Sequence, residues 1–557
     1  MTTSCSIPLT QKTCVPPFIG ALSLAIALTF LRYIIAHPGD LDLLLNEEAS
    51  IYLHAAEKNF FELFMIPDSN YINFINKFCA ALSLKVFKAF DNFALVQNLT
   101  NWFVAALFST IFLLKKFEVL IVSFRIRLAL CIYLYLLPIF DMHMVFGQGY
   151  YVIFALFFYI LTLYKQTNLS TWEIVLICTT APFAVFSKPV FFIFGFAFLG
   201  VFLQGLRECI LERRIPCPRL WLLFYLLVLY IFQAWFIFAH HEYMAEYTNS
   251  LDRSMGFLSL LLFLGKKVFI FLGYGLICPL AHIIPRQLAT PLCFTAGLIA
   301  AGLFVRNIQF FVKERDTLRL TTLLLLSGSV ILSLYGAVSV NFLYHRFFVQ
   351  DIFAVQWSHR LIFPIILIAL FSLVFYLQRL ADFGKNICLI FICLLCVIGY
   401  NITAWGSLQT GYAPSFTWKQ TRPLLDNRYS FIPHAHGMQF YYIRGMNYVS
   451  EEISLTIADK DTLVAPKMPK GRKVRYLMLK QTPNQGAIAL AASDTLNVIV
   501  NDIEYKARLV NPGINSQYLF VFNNSIPSEN LTTFQIAAQE VALTGKSFVM
   551  HIIGFQE

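Results

Sequence analysis

The chain has 557 residues, 58% hydrophobic and only 13% charged, with a mean hydropathy of +0.66. A soluble protein carries about a quarter charged residues, so a wholly soluble protein is excluded and a polytopic helical membrane protein is expected. The net charge of +11 sits largely in short loops between apolar runs, where it sets topology. The expected partner is therefore the lipid bilayer and not nucleic acid.

One lysine, Lys12, precedes an apolar run from Val15. That resembles a secretory signal, but no small-x-small cleavage site follows, so 15–35 reads as an uncleaved first span. An acidic loop, 36–92, comes next, with Asp40, Asp42, Glu47, Glu48, Glu57 and Glu62. Asn46 is suited to cap a helix whose first turn holds Glu47 and Glu48. The helix exposes Ile51, Tyr52, Phe60, Phe61 and Phe64, so it is expected to lie on the membrane surface. Carboxylates at its start would border a lipid-adjacent cavity, where burial raises a pKa and suits an acid to general-base work.

Further spans follow at about 93–114, 128–146, 149–164, 172–187, 189–206 and 220–239, then 289–305, 320–340, 361–377 and 386–405. Basic clusters between them should be cytoplasmic. The first holds Lys115, Lys116, Arg125 and Arg127, and the second Arg207, Arg213, Arg214 and Arg219. The third holds Arg306, Lys313, Arg315 and Arg319, and the fourth Arg379 and Lys385. In 256–285, Gly265-Lys266-Lys267 separates two short apolar pieces, which suits a re-entrant or interfacial element. Eleven spans plus this element put the N-terminus in the cytoplasm. They put the acidic loop and everything after 405 outside, which in a bacterium is the periplasm.

Residues 406–557 are expected to form a β-rich, sandwich-like extracytoplasmic domain. Runs such as TLNVIV and QYLFVFNN alternate with turn signals in PNQGA and NPGINS. TTFQIAAQEVAL near the end reads as helix. The cysteines fall mostly in apolar segments without metal-ligand spacing, which makes them core filler.

Several residues at external span ends have chemistry to offer. Asp141 and His143 share a short turn, and two such residues make no metal site; contact with a sugar or a structural role fits them better. Lys188, His345-Arg346 and His359-Arg360 carry charge at span ends, where each either holds an anion or snorkels to headgroups. HHEYMAEY (240–247) reads as a wet external loop, and His434 and His436 lie among aromatics that more often build a β core than a sugar platform.

The run NEEASIYLHAAEKNFFELFMIPDSNYINFINKFCAAL, 46–82, resembles the first external loop of GT-C glycosyltransferases. These multi-span enzymes transfer a sugar from a polyprenyl-phosphate carrier. The matching features are the pair Glu47-Glu48, the aromatic stretch Phe60 to Phe64, Pro67, Tyr71 and Lys77. The span count and periplasmic C-terminal domain are also similar to that family. The chain departs from it in a Glu-Glu pair where an Asp-containing pair is commoner, in Lys77 where arginine is expected, and in Ser187-Lys188-Pro189.

Such a transfer needs a carboxylate to take the acceptor's proton, and Glu48 is favoured, with Glu47 orienting or replacing it. It also needs Arg, Lys or a divalent cation on the leaving phosphate. Arg360 and Arg346 are favoured there, ahead of Lys188 and His359. Tyr71, Lys77, Asp141 and His143 are the substrate-binding candidates. No cofactor beyond such a cation is implied. The expected partners are a polyprenyl-phosphate-linked sugar donor and a cell-envelope glycan or lipid-linked acceptor, as in O-antigen or lipopolysaccharide assembly. Three alternatives stand beside this. Another membrane transferase or polymerase acting on the same lipid-linked sugars, such as an O-antigen polymerase or ligase, would place its large external loop late in the chain, whereas here the first loop is long and acidic. A transporter or flippase of lipid-linked sugars should show internal repeats and mid-helix charges, and neither is evident. A non-catalytic envelope protein would bind glycan through its β domain.

Overall fold

The computed structural model describes residues 17–35, 48–66, 72–137, 148–163, 170–187, 203, 206–207, 210–211, 218–240, 257–281, 283–339, 362–380, 382–409 and 418. In the C-terminal part it describes 448–456, 462–464, 473–481, 495–501, 503–509, 517–527, 533–537 and 547–555. Two compact units result. One joins Met1–Leu41 to His54–Leu408, and the other joins Asp42–Leu53 to Gln409–Glu557.

The described residues are mostly helical. In chain order the helices are α1 (Pro17–Ile35), α2 (Glu48–Glu57), α3 (Phe60–Met65), α4 (Phe74–Ala81) and α5 (Phe93–Ser109). Then come α6 (Phe124–Leu136), α7 (Gln148–Leu163), α8 (Thr171–Val185), α9 (Pro218–Ala239) and α10 (Phe257–Ala281). The chain continues through α11 (Arg286–Lys313), α12 (Thr317–Ser339), α13 (Phe363–Leu377) and α14 (Asp382–Gln409). Among the described residues four stretches are long and apolar enough to cross a bilayer: Phe93–Leu113, Leu220–Ala239, Leu262–Ala281 and Gln287–Lys313. Large apolar side chains such as Phe18, Phe30, Trp235 and Phe238 point outward, as lipid-facing positions require. Hydroxyls within the helices bond their own backbone instead of facing lipid: Thr100 donates to Val96 O at 2.7 Å and Ser109 to Ala105 O at 2.8 Å.

Three of the four basic clusters meet at one end of the helical unit. Arg319 Nε donates to Leu120 O at 2.9 Å, and Arg125 donates to Asn386 Oδ1 at 2.9 Å. Val122 N donates to Gln378 Oε1 at 3.2 Å. Lys116 pairs with Glu173 in the first turn of α8, and Arg127 with Glu118 at 2.9 Å. Glu173 also completes a capping box with Ser170, so the same carboxylate starts a helix and anchors the loop after α5.

The segment expected to break at Gly265-Lys266-Lys267 does not. It is the continuous helix α10, and its one non-helical residue is Ile277, just before Pro279. An isolated glycine costs a helix only about 1 kcal/mol and lysine is a good helix former, while the Lys267 ammonium lies 5.6 Å over the Phe263 ring. Packing against α11 then decides the outcome. A Cβ on Gly273 would sit 1.7 Å from Cys293 O, and one on Gly297 would sit 1.8 Å from Phe269 O. The two backbones touch, and only glycine allows that approach. The bend has its own compensation. Pro279 cannot donate to the carbonyl four residues back, and Tyr133 OH donates to that atom, Gly275 O, at 2.9 Å. Tyr133→Phe should cost about 1 kcal/mol, read as a lowered melting temperature of the purified protein. An unchanged melt would mean that the carbonyl finds another donor.

In the second unit, the strands are β1 (Tyr448–Thr456), β2 (Thr462–Val464), β3 (Lys473–Gln481), β4 (Thr495–Val500), β5 (Ile503–Leu509), β6 (Gln517–Pro527), β7 (Thr533–Ala537) and β8 (Ser547–Phe555). They form one antiparallel sheet ordered β1-β8-β3-β6-β5-β4-β7-β2, where two packed sheets were expected. Val498, Val500, Phe520, Phe522, Leu477 and Leu479 are buried at alternate positions, the period of a half-buried strand. Val500 pairs with Ile503, and Asn501 takes φ 48 in the two-residue turn between them, as a tight hairpin requires. Thr533–Ala537, expected to be helical, is strand β7. Phe534 and Ile536 pair with the buried Val500 and Val498, and this tertiary pairing outweighs the helix propensity of the alanines that follow.

Candidate functional site

The first loop folds into separate pieces rather than one surface helix. Asn59 interrupts it and caps α3, its Oδ1 accepting from Glu62 N at 2.9 Å. Phe60 and Phe61 remain exposed, as expected, whereas Ile51, Tyr52 and Phe64 are buried. Tyr52 belongs with the second unit, where its ring meets Trp418 edge-on at 4.8 Å. Such a pair contributes about 0.5–1.5 kcal/mol beyond the area it buries. Glu48 opens α2, and its side chain lies outside the described residues, as does all of Glu47.

Lys77 is the one predicted site side chain that is described. It is 2% exposed on α4, and its ammonium donates to Ile66 O at the end of α3. One of its three N–H groups therefore ties together the two helices flanking Pro67 and Tyr71, both of which lie outside the described residues.

Aromatic packing fixes α4 against the end of α8. Phe74 N donates to Phe186 O at 3.1 Å. The Phe64 and Phe74 rings stack at 4.3 Å, and Phe183 meets Phe74 at 4.9 Å and Phe78 at 4.8 Å. The helix carrying Lys77 is thereby held at the turn that leads into Lys188. Phe64, Ile72 and Phe236 form a small buried cluster that joins the end of α9 to this group. The His240 ring packs on Phe236, tilted by 31°, at 4.3 Å.

A second meeting of helix ends lies at the starts of α7 and α13. Tyr151 and Phe154 pack against Phe363 at 5.9 Å and 4.8 Å. The first follows the segment of Asp141 and His143, and the second follows His359 and Arg360. Since α7 and α8 reach the basic end through Tyr159 and Glu173, 2.8 Å apart, and α13 reaches it through Gln378, these other termini lie at the opposite end. Asp141, His143, Lys188, Arg346, His359 and Arg360 themselves lie outside the described residues, as do His434 and His436.

The packing also brings together polar residues that the motif search passed over. Asn76 and Lys77 lie in α4, just after Asn73 at its start, and Gln97 and Asn101 share one face of α5 by their four-residue spacing. All are at most 2% exposed. Gln97 Nε2 donates to Asn76 O at 3.4 Å. The signal was available in the sequence, because amides at four-residue spacing inside an apolar span are costly unless used.

Comparison of the chain with protein-family models, curated proteins and solved structures finds no match.

Proposed function

We propose that the chain is a GT-C-type membrane glycosyltransferase that moves a sugar from a polyprenyl-phosphate donor to a cell-envelope glycan or lipid-linked acceptor. The acceptor hydroxyl attacks the anomeric carbon and gives its proton to Glu48, or to Glu47 in its place. The bond from that carbon to the phosphate oxygen breaks, and polyprenyl phosphate leaves. Arg360 and Arg346, with Lys188 and His359, hold the leaving phosphate. Tyr71, Asp141 and His143 contact the sugar, and Lys77, through its bond to Ile66 O, ties α3 to α4.

One observation carries this reading. The described helix ends next to these candidates, on α4 and α8 and on α7 and α13, meet in two pairs that both lie at the end of the helical unit opposite the basic clusters. A transfer site for a lipid-borne sugar needs such a convergence at one membrane face. The positive-inside rule makes the basic end cytoplasmic and the other face periplasmic, with the bacterial inner membrane as the location. This orientation rests on the meeting of the basic clusters and not on counting spans, because α10 adds a span-length helix to that count.

Glu48→Gln and Glu47→Gln test the chemistry. General bases contribute roughly 10²–10⁴-fold, so loss of the true base should remove surface-glycan modification from a complemented deletion strain while the protein's membrane level stays unchanged. Mass analysis of surface glycans and lipid-linked sugars gives the readout. If both variants restore the parental glycan, the base lies elsewhere.

A further inference from the structure

We infer that the seam between α4 and α5 is a binding site for a hydroxyl-rich group, a sugar, whose hydroxyls bond to the side-chain amides of Asn76, Gln97 and Asn101. Five atoms there have no hydrogen-bond partner: Asn76 Nδ2 and Oδ1, Gln97 Oε1, and Asn101 Nδ2 and Oδ1. The three residues are 0%, 0% and 1% exposed. Buried polar groups are nearly always paired, and leaving several unpaired in one place costs stability. Nearby Ser83 satisfies itself on Cys79 O at 2.8 Å, so this part of the fold does pair its polar groups where it can.

The mixture of atoms restricts the ligand. The five comprise two amide donors and three oxygen acceptors. A phosphate accepts without donating at its ionised oxygens, and a metal cation would serve the oxygens alone. A hydrocarbon tail serves none. A hydroxyl donates and accepts at the same atom, and a ring bearing several of them can meet both kinds of group at once. The seam adjoins Lys77, which ties α4 to α3. The inference rests on the transfer reading for its choice of lipid carrier, and on the amides for its chemistry.

The test uses the full chain in nanodiscs and three probes: undecaprenyl phosphate bearing glucose, the same lipid bearing arabinose, and bare undecaprenyl phosphate. Affinity is read from the ligand-induced rise in melting temperature. The wild type should bind at least one sugar-bearing lipid about tenfold or more tighter than the bare phosphate, a ratio equal to about 1.4 kcal/mol. Asn101→Leu should erase that preference while keeping the affinity for the bare lipid. Gln97→Leu should do the same, and serves if Asn101→Leu does not fold. Glu48→Gln should keep the preference even where transfer is lost, so the binding site and the catalytic assignment fail separately. A wild type that shows no preference for either sugar means that the seam holds water only, and overturns the inference. So does a preference that survives in the leucine variants.

Discussion

Leucine at Gly297 should unfold or displace the α10–α11 pair, at a cost of about 3 kcal/mol or more, and leucine at Gly273 should do the same. Overpacking a core typically costs about 1–3 kcal/mol because neighbouring side chains give way. Here the obstruction is backbone: Phe269 O lies 1.8 Å from the Cβ that Gly297 would gain, and Cys293 O lies 1.7 Å from that of Gly273. A backbone held in a helix cannot swing aside as a side chain does, so the helices must separate and lose the whole seam. Gly302, with open space around its Cβ position, is the control. Leucine there should hold or slightly raise stability, since glycine is a poor helix former. Fluorescence-detected size exclusion after a temperature series separates the outcomes. A Gly297→Leu protein that melts with the wild type would show that the two backbones do not touch.

Removing the Lys116 charge should be the second most damaging of these changes. Lys116 is buried to 9% side-chain exposure against Glu173 at 29%, and Tyr159 OH donates to the same carboxylate at 2.8 Å. Breaking a fully buried ion pair from one side costs about 3–5 kcal/mol because the other charge is stranded. Partial exposure of Glu173 reduces that figure to about 2 kcal/mol for Lys116→Met. Glu173→Gln should cost a similar amount, with a further loss from the weakened capping box at Ser170. The double variant strands no charge and should recover much of the loss. Strictly additive losses in that cycle would mean that the pair is not coupled.

Composition made the membrane class legible, and most helices lie where the apolar runs predicted them, as in Pro17–Ile35, Thr171–Val185 and Phe363–Leu377. Local reading failed where distant partners decide the conformation. Gly265-Lys266-Lys267 looks like a break until α11 is laid beside it, and Thr533–Ala537 looks helical until β4 offers Val498 and Val500 for pairing. The site divides similarly. Lys77 was singled out only by the resemblance of its loop to the GT-C first loop, and its bond to Ile66 O was not visible in the sequence. The four-residue spacing of Gln97 and Asn101 is visible in the sequence, but Asn76 joins them only when α4 lies on α5.

The docking of Tyr52 on Trp418 has a consequence for biosynthesis. The turn bearing Glu48 emerges from the ribosome early, while its aromatic partner is made only after every helix up to α14. A chain stalled or cut before Trp418 keeps both glutamates but leaves Tyr52 without its seat. A truncation before Trp418 would therefore leave this part of the first loop without the ring it packs on, because that ring is made only after α14.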